Sequence, residues 1–134
     1  MMFDANNKIV QLCAKGMELV DDEAKMVFEQ AWNESKTDFE KLVSAHYLAR
    51  HQNTVEEKLD WDKLALDHAL KTDDVFDVLP SLYLNIAKCY EDLDDNVSAK
   101  LNYELALSHS DHLQNDGYGN LIYRGILNGL DRVS

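Results

Sequence analysis

The sequence predicts an all-α chain of three helical hairpins followed by a closing helix. Three observations carry that expectation. The 134 residues include one proline and five glycines, four of those glycines beyond residue 116, so little interrupts a helix. Runs of β-branched residues are few. Small residues also recur among large ones at separations that suit two packed antiparallel helices. Ala87, Ala99 and Ala106 stand among Tyr83, Ile86, Tyr90 and Tyr103, with twelve residues from Ala87 to Ala99, four to Tyr103 and three more to Ala106.

The same arrangement returns along the chain. Phe28-Glu29-Gln30-Ala31-Trp32, Leu66-Asp67-His68-Ala69-Leu70 and Tyr103-Glu104-Leu105-Ala106-Leu107 each set a large residue three before an alanine and another directly after it. The alanines lie 38 and then 37 residues apart. This pattern resembles the tetratricopeptide repeat, whose period is about 34 residues. The resemblance implies three repeats, at about 6–34, 38–71 and 74–110, in a right-handed α-α superhelix within one domain spanning 1–134. In the second and third repeats Leu48-Ala49 matches Ile86-Ala87, and the distances from Ala49 to Ala69 and from Ala87 to Ala106 are 20 and 19 residues. The first repeat departs from the pattern: Gly16 precedes Ala24 by eight residues, where the family has about twelve. Either its inter-helix loop is a turn shorter or its small crossing residue lies elsewhere. The second repeat has Gln52 where the family carries an aromatic.

Element by element, the periodicity predicts helices near 6–20, 22–34, 38–52, 55–71, 74–93, 96–110 and 118–132. Asp21 or Asp22, Thr37, Thr54, Asp73 and Asp95 are expected N-caps, because a short side-chain oxygen there accepts from the orphan amides of the first turn. Pro80 fits the first turn of a regular helix, with 74–79 a preceding turn or kinked extension. Asn115-Asp116-Gly117-Tyr118-Gly119 reads as a loop. Beyond it Leu121, Ile122, Ile126, Leu130 and Val133 form one apolar face, with Gly125 and Gly129 allowing close backbone approach. A helix of this kind, over 118–132, would cap the last repeat.

Composition narrows the function classes. At 46% hydrophobic residues the chain can build a core. The net charge of −12 repels nucleic-acid phosphates and anionic lipids, so neither nucleic acid nor membrane is an expected partner. Solubility, with a preference for basic partners, accounts for it. Cys13 and Cys89 sit among apolar residues and read as core thiols of a reducing compartment. The N-terminus, MMFDANNK, lacks the basic flank and apolar run of a signal peptide, and a cytoplasmic location is expected.

The resemblance also implies where a partner would bind, since in the tetratricopeptide family the first helix of each hairpin lines a concave groove. Carried over, the groove positions are His46 and Arg50 in the second repeat, and Leu84 and Lys88 in the third with Asn85 beside them. Tyr47 and Glu91 belong to the same helices, and Arg124 and Asn128 would extend the groove on the closing helix. His46 and Arg50 share a face by their i, i+4 spacing alone. Guanidinium, ammonium and amide groups there suit a carboxylate or phosphate. The plainer reading makes these side chains ordinary solvated helix surface, with Tyr47 packing the next hairpin.

Other chemistry finds little purchase. His109-Ser110-Asp111-His112, followed by Asp116, sets two histidines three apart, without the Cys-x2-Cys or His-Glu-x2-His pattern of a zinc site, and no metal or cofactor is expected. Glu91-Asp92-Leu93-Asp94-Asp95-Asn96 lacks the glycine and distal glutamate of a calcium loop. Glycine-rich phosphate loops and nucleophile elbows are missing. Ala45-His46-Tyr47-x-Ala49-Arg50-His51-Gln52 and Asp116-Gly117-Tyr118-Gly119 are similar to stretches in short bacterial proteins labelled rRNA adenine methyltransferases. That activity is disfavoured, since its adenine-binding motif needs two consecutive prolines and Pro80 stands alone. The expectation is a non-enzymatic module that binds a peptide or protein segment. A self-associating scaffold, two chains pairing through an exposed apolar end, is the second reading.

Overall fold

The computed structural model describes residues 4–134, so Met1, Met2 and Phe3 of the stretch read for a leader lie outside it. Its elements are α1 (Lys8–Met17), α2 (Asp21–Glu34), α3 (Asp38–Arg50), α4 (Val55–Ala69), α5 (Leu79–Asp92), α6 (Asn96–Ser108), a short 3₁₀ turn (Ser110–His112) and α7 (Gly117–Val133). No strand occurs among the described residues. The chain divides into two compact units, one ending at Asp73 and one running from Asp74 to Ser134.

In the first unit, helix starts follow from local hydrogen-bonding. Asn7 caps α1 through Oδ1, which accepts from Ile9 N at 2.8 Å and Val10 N at 3.1 Å. Thr37 and Glu40 form a reciprocal capping box at α3, and Thr54 accepts from Glu57 N at α4. Neither expected aspartate caps α2. Val20 holds the cap position without a side-chain bond, while Asp21, Asp22 and Glu23 line the first turn and face its positive end. Asp21 takes φ 49°, which makes the sharp reversal from α1 possible.

α1 packs on α2, α2 on α3, and α3 lies along α4. Their core gathers Ile9, Cys13, Ala24, Phe28, Ala31, Val43 and Leu48, edged by Trp32, Tyr47 and Trp61. Gly16 lets α1 approach α2 closely: a methyl group placed there would come within 2.6 Å of the Phe28 ring. Trp32 and Trp61 meet edge-on at 4.9 Å, and the Lys41 ammonium lies 3.9 Å above the Trp32 ring. Burial of Cys13 pushes its thiol up to about 12.

In the second unit, α5 begins at Leu79 with Pro80 in its first turn, and Asp73 caps nothing. Pro80 lacks the N–H that would bond to residue 76 and its ring would crowd that carbonyl, which keeps 74–78 from extending the helix. Asp95 caps α6 by accepting from Ser98 N. Much of the expected loop at 115–119 is helix: Asp116 caps α7 by accepting from Gly119 N at 2.8 Å. A side chain at Gly119 would run into the Gln114 carbonyl, so glycine is required there.

α5 lies along α6, and α7 packs on both. Ala87, Ala99 and Tyr103 are completely buried, with Leu84, Tyr90, Leu130 and Val133 around them. Ala106, Ile122 and Ile126 form the adjoining cluster with Tyr83, Leu107 and Leu113. Gly129 sits directly against the Tyr103 ring, the close approach its missing side chain permits. Leu121 departs from the apolar face expected of α7 and is 64% exposed. No helix among the described residues is long and apolar enough to cross a membrane.

Candidate functional site

The first unit brings His46, Tyr47 and Arg50 together on α3 and commits two of them to neighbouring side chains. Tyr47 stacks on Phe28 with ring centres 5.1 Å apart and planes 6° apart, and His51 covers Phe28 at 4.9 Å. Arg50 Nη2 donates to both carboxylate oxygens of Asp62, at 2.5 and 2.6 Å. The Asp62 side chain is almost fully buried on α4. His46 meets Tyr47 edge-on at 5.3 Å, and its Nδ1 is buried without a hydrogen-bond partner. Burial, and then the nearby Arg50 cation, lower its pKa to about 4, so the ring is neutral at pH 7.

Asp62 is the residue that sequence reasoning missed here. Its signal was present: it falls three residues after Leu59 and three before Ala65, an acid at a core position of an otherwise regular pattern. A carboxylate buried there requires a cationic partner, and the guanidinium supplies one.

In the second unit, Leu84, Lys88 and Glu91 follow one another along α5. Leu84 is packed inward, its Cδ2 3.2 Å from where a methyl on Gly125 would lie. Lys88 pairs with Asp92 at 2.8 Å and stays about half exposed. Glu91 takes Nε of Arg132 on Oε2 at 2.8 Å and the Tyr103 hydroxyl on Oε1 at 2.7 Å. The Arg132 hydrogen bond holds the Glu91 carboxyl below its ordinary range. Burial, with Glu91 beside it, pushes the Tyr103 phenol up to about 12. Glu91 therefore ties α5 to α6 and α7. Asn85 is partly exposed, and Arg124 and Asn128 stand exposed on α7. Arg132 went unnoticed in the sequence, because nothing local marks a cation that reaches 41 residues back.

One cleft went unforeseen. Lys8, Ile9, Asn33, Glu34, Lys36 and Glu40 line about 440 Å³ in the first unit. Its carboxylates are already engaged, Glu34 by Lys8 at 2.5 Å and Glu40 by the Lys36 amide at 2.8 Å and the Asn7 amide at 3.0 Å. Among the described residues, no group of three or more His, Cys, Asp or Glu side chains is arranged to hold a metal ion. The chain matches no protein-family model, no curated protein and no solved structure.

Proposed function

We propose that this chain is a non-enzymatic interaction module of tetratricopeptide-like hairpins that docks a peptide or protein segment on α5 and α7. One observation carries the reading. Of the four Lys and Arg residues between 74 and 134, three (Lys88, Arg124 and Arg132) lie on α5 and α7, although the chain as a whole carries −12. Arg124 and Asn128 are exposed there, and Lys88 is held by an exposed i, i+4 pair that a partner carboxylate can exchange with at little cost. Tyr118 and Leu121, both more than 60% exposed, add apolar surface to α7. The hairpin pattern supports the family reading, since Ala49, Ala69, Ala87, Ala99 and Ala106 are all completely buried. Arg50 and Tyr47 contribute to the first unit's fold through Asp62 and Phe28.

The test is capture from native lysate by the wild-type chain and by an Asn85→Ala/Lys88→Glu/Arg124→Glu variant with unchanged helicity. A partner held by the wild type and lost by the variant is expected. Equal retention, or no specific partner, contradicts the reading. A self-associating scaffold is the second reading, favoured by Val97 and Leu101 on α6 and Tyr123 and Leu127 on α7, all exposed. A concentration-dependent mass in sedimentation would support it over docking.

A further inference from the structure

We propose that His109 and His112 form a two-imidazole chelate for a divalent d-block cation. His109 caps the C-terminus of α6 and His112 ends the 3₁₀ turn, where His112 N donates to His109 O at 3.1 Å. One turn separates the two residues, and it brings their rings near each other. Their centres are 6.3 Å apart and their planes 32° apart. Each ring is steadied by an aromatic partner: His109 stacks on Tyr83 at 5.5 Å, and His112 lies against Phe76 at 5.4 Å. These contacts use ring faces and leave the nitrogens at the edges. His112 is exposed and His109 partly so, and no ring nitrogen of either takes a hydrogen bond from the described residues.

Imidazole suits copper(II), nickel(II) and zinc(II), and copper(II) binds such sites most tightly. Two imidazoles on one tetrahedral ion have ring centres about 5 Å apart, given metal–nitrogen bonds of about 2.0–2.1 Å. The observed centres lie about 1 Å farther apart, a gap that a small rotation of the exposed His112 side chain about its Cα–Cβ bond closes. With two protein ligands, the remaining positions are open to water or to a donor from a partner. Pre-set rings lower the ordering cost of binding, and two linked ligands hold an ion far better than either alone.

The experiment adds NiCl2 to the full chain and follows the histidine and aromatic ring signals by NMR. Selective broadening of His109, His112, Tyr83 and Phe76 is expected, saturating at one ion per chain. His109→Ala and His112→Ala should each weaken binding roughly tenfold or more, the loss of chelation. His68→Ala, on α4, should leave it unchanged. Uniform broadening, broadening led by another histidine, or binding that survives the double substitution overturns the proposal.

Discussion

Gly129 and Gly117 belong to the same helix and predict opposite outcomes for the same substitution. Gly129→Ala drives a methyl into the buried Tyr103 ring and should cost about 1–3 kcal/mol. Nothing lies near the Gly117 position, and Gly117→Ala should be neutral or stabilise by about 0.4–1 kcal/mol. Thermal unfolding of the two variants checks both; a Gly129→Ala chain as stable as the wild type would contradict the Tyr103 contact. His46 predicts a pH dependence of definite sign. Its pKa falls from 6.5 to about 4 on folding, so between those values the unfolded chain binds the proton and the folded one does not. The stability is fully present above about pH 6.5 and is lost as pH falls toward 4, by roughly 3 kcal/mol at most. Glu91 acts in a lower window: its carboxyl is depressed, so its contribution is lost only as pH falls below its ordinary 4.5. Urea unfolding at pH 7.5 and 5.0 should show the wild type weakening, with a smaller change in His46→Gln; equal changes would contradict the assignment.

At the scale of elements, the caps decide where helices begin. Thr37→Ala removes one half of a capping box and should cost about 1 kcal/mol, read from the urea midpoint, because the Glu40 backbone N–H loses its Thr37 Oγ1 acceptor. Helices, caps at Thr37, Thr54 and Asp95, and the buried alanines were legible in the sequence, because each rests on short-range periodicity or a local hydrogen bond. The start of α5 was less so: Asp73 looks like a cap, yet Pro80 has no N–H for a helical bond to residue 76 and its ring crowds that carbonyl, so the regular helix begins at Leu79. Periodicity places the start of α7 at 118, one residue from its place at Gly117, but its Asp116 cap was missed because the surrounding glycine-rich stretch reads as loop. Among the candidate site residues, the positions of Arg124 and Asn128 on α7 follow from helical phase. The commitments of Arg50 to Asp62 and of Glu91 to Arg132 and Tyr103 do not, because they depend on which helices meet.

For the whole molecule, the excess of 25 acids over 13 Lys and Arg residues sets a background of like charge. Against it, Arg124 on α7 and Lys88 on α5 are the exposed cations offered to a partner, Arg132 being tied to Glu91, and they carry the central claim about function. The most direct measurement is hydrogen–deuterium exchange on the chain with its captured partner. Slowed exchange confined to α5 and α7, and lost in the Asn85→Ala/Lys88→Glu/Arg124→Glu variant, is the predicted result. Slowed exchange concentrated on α2, α4 or α6, or none anywhere, would contradict it.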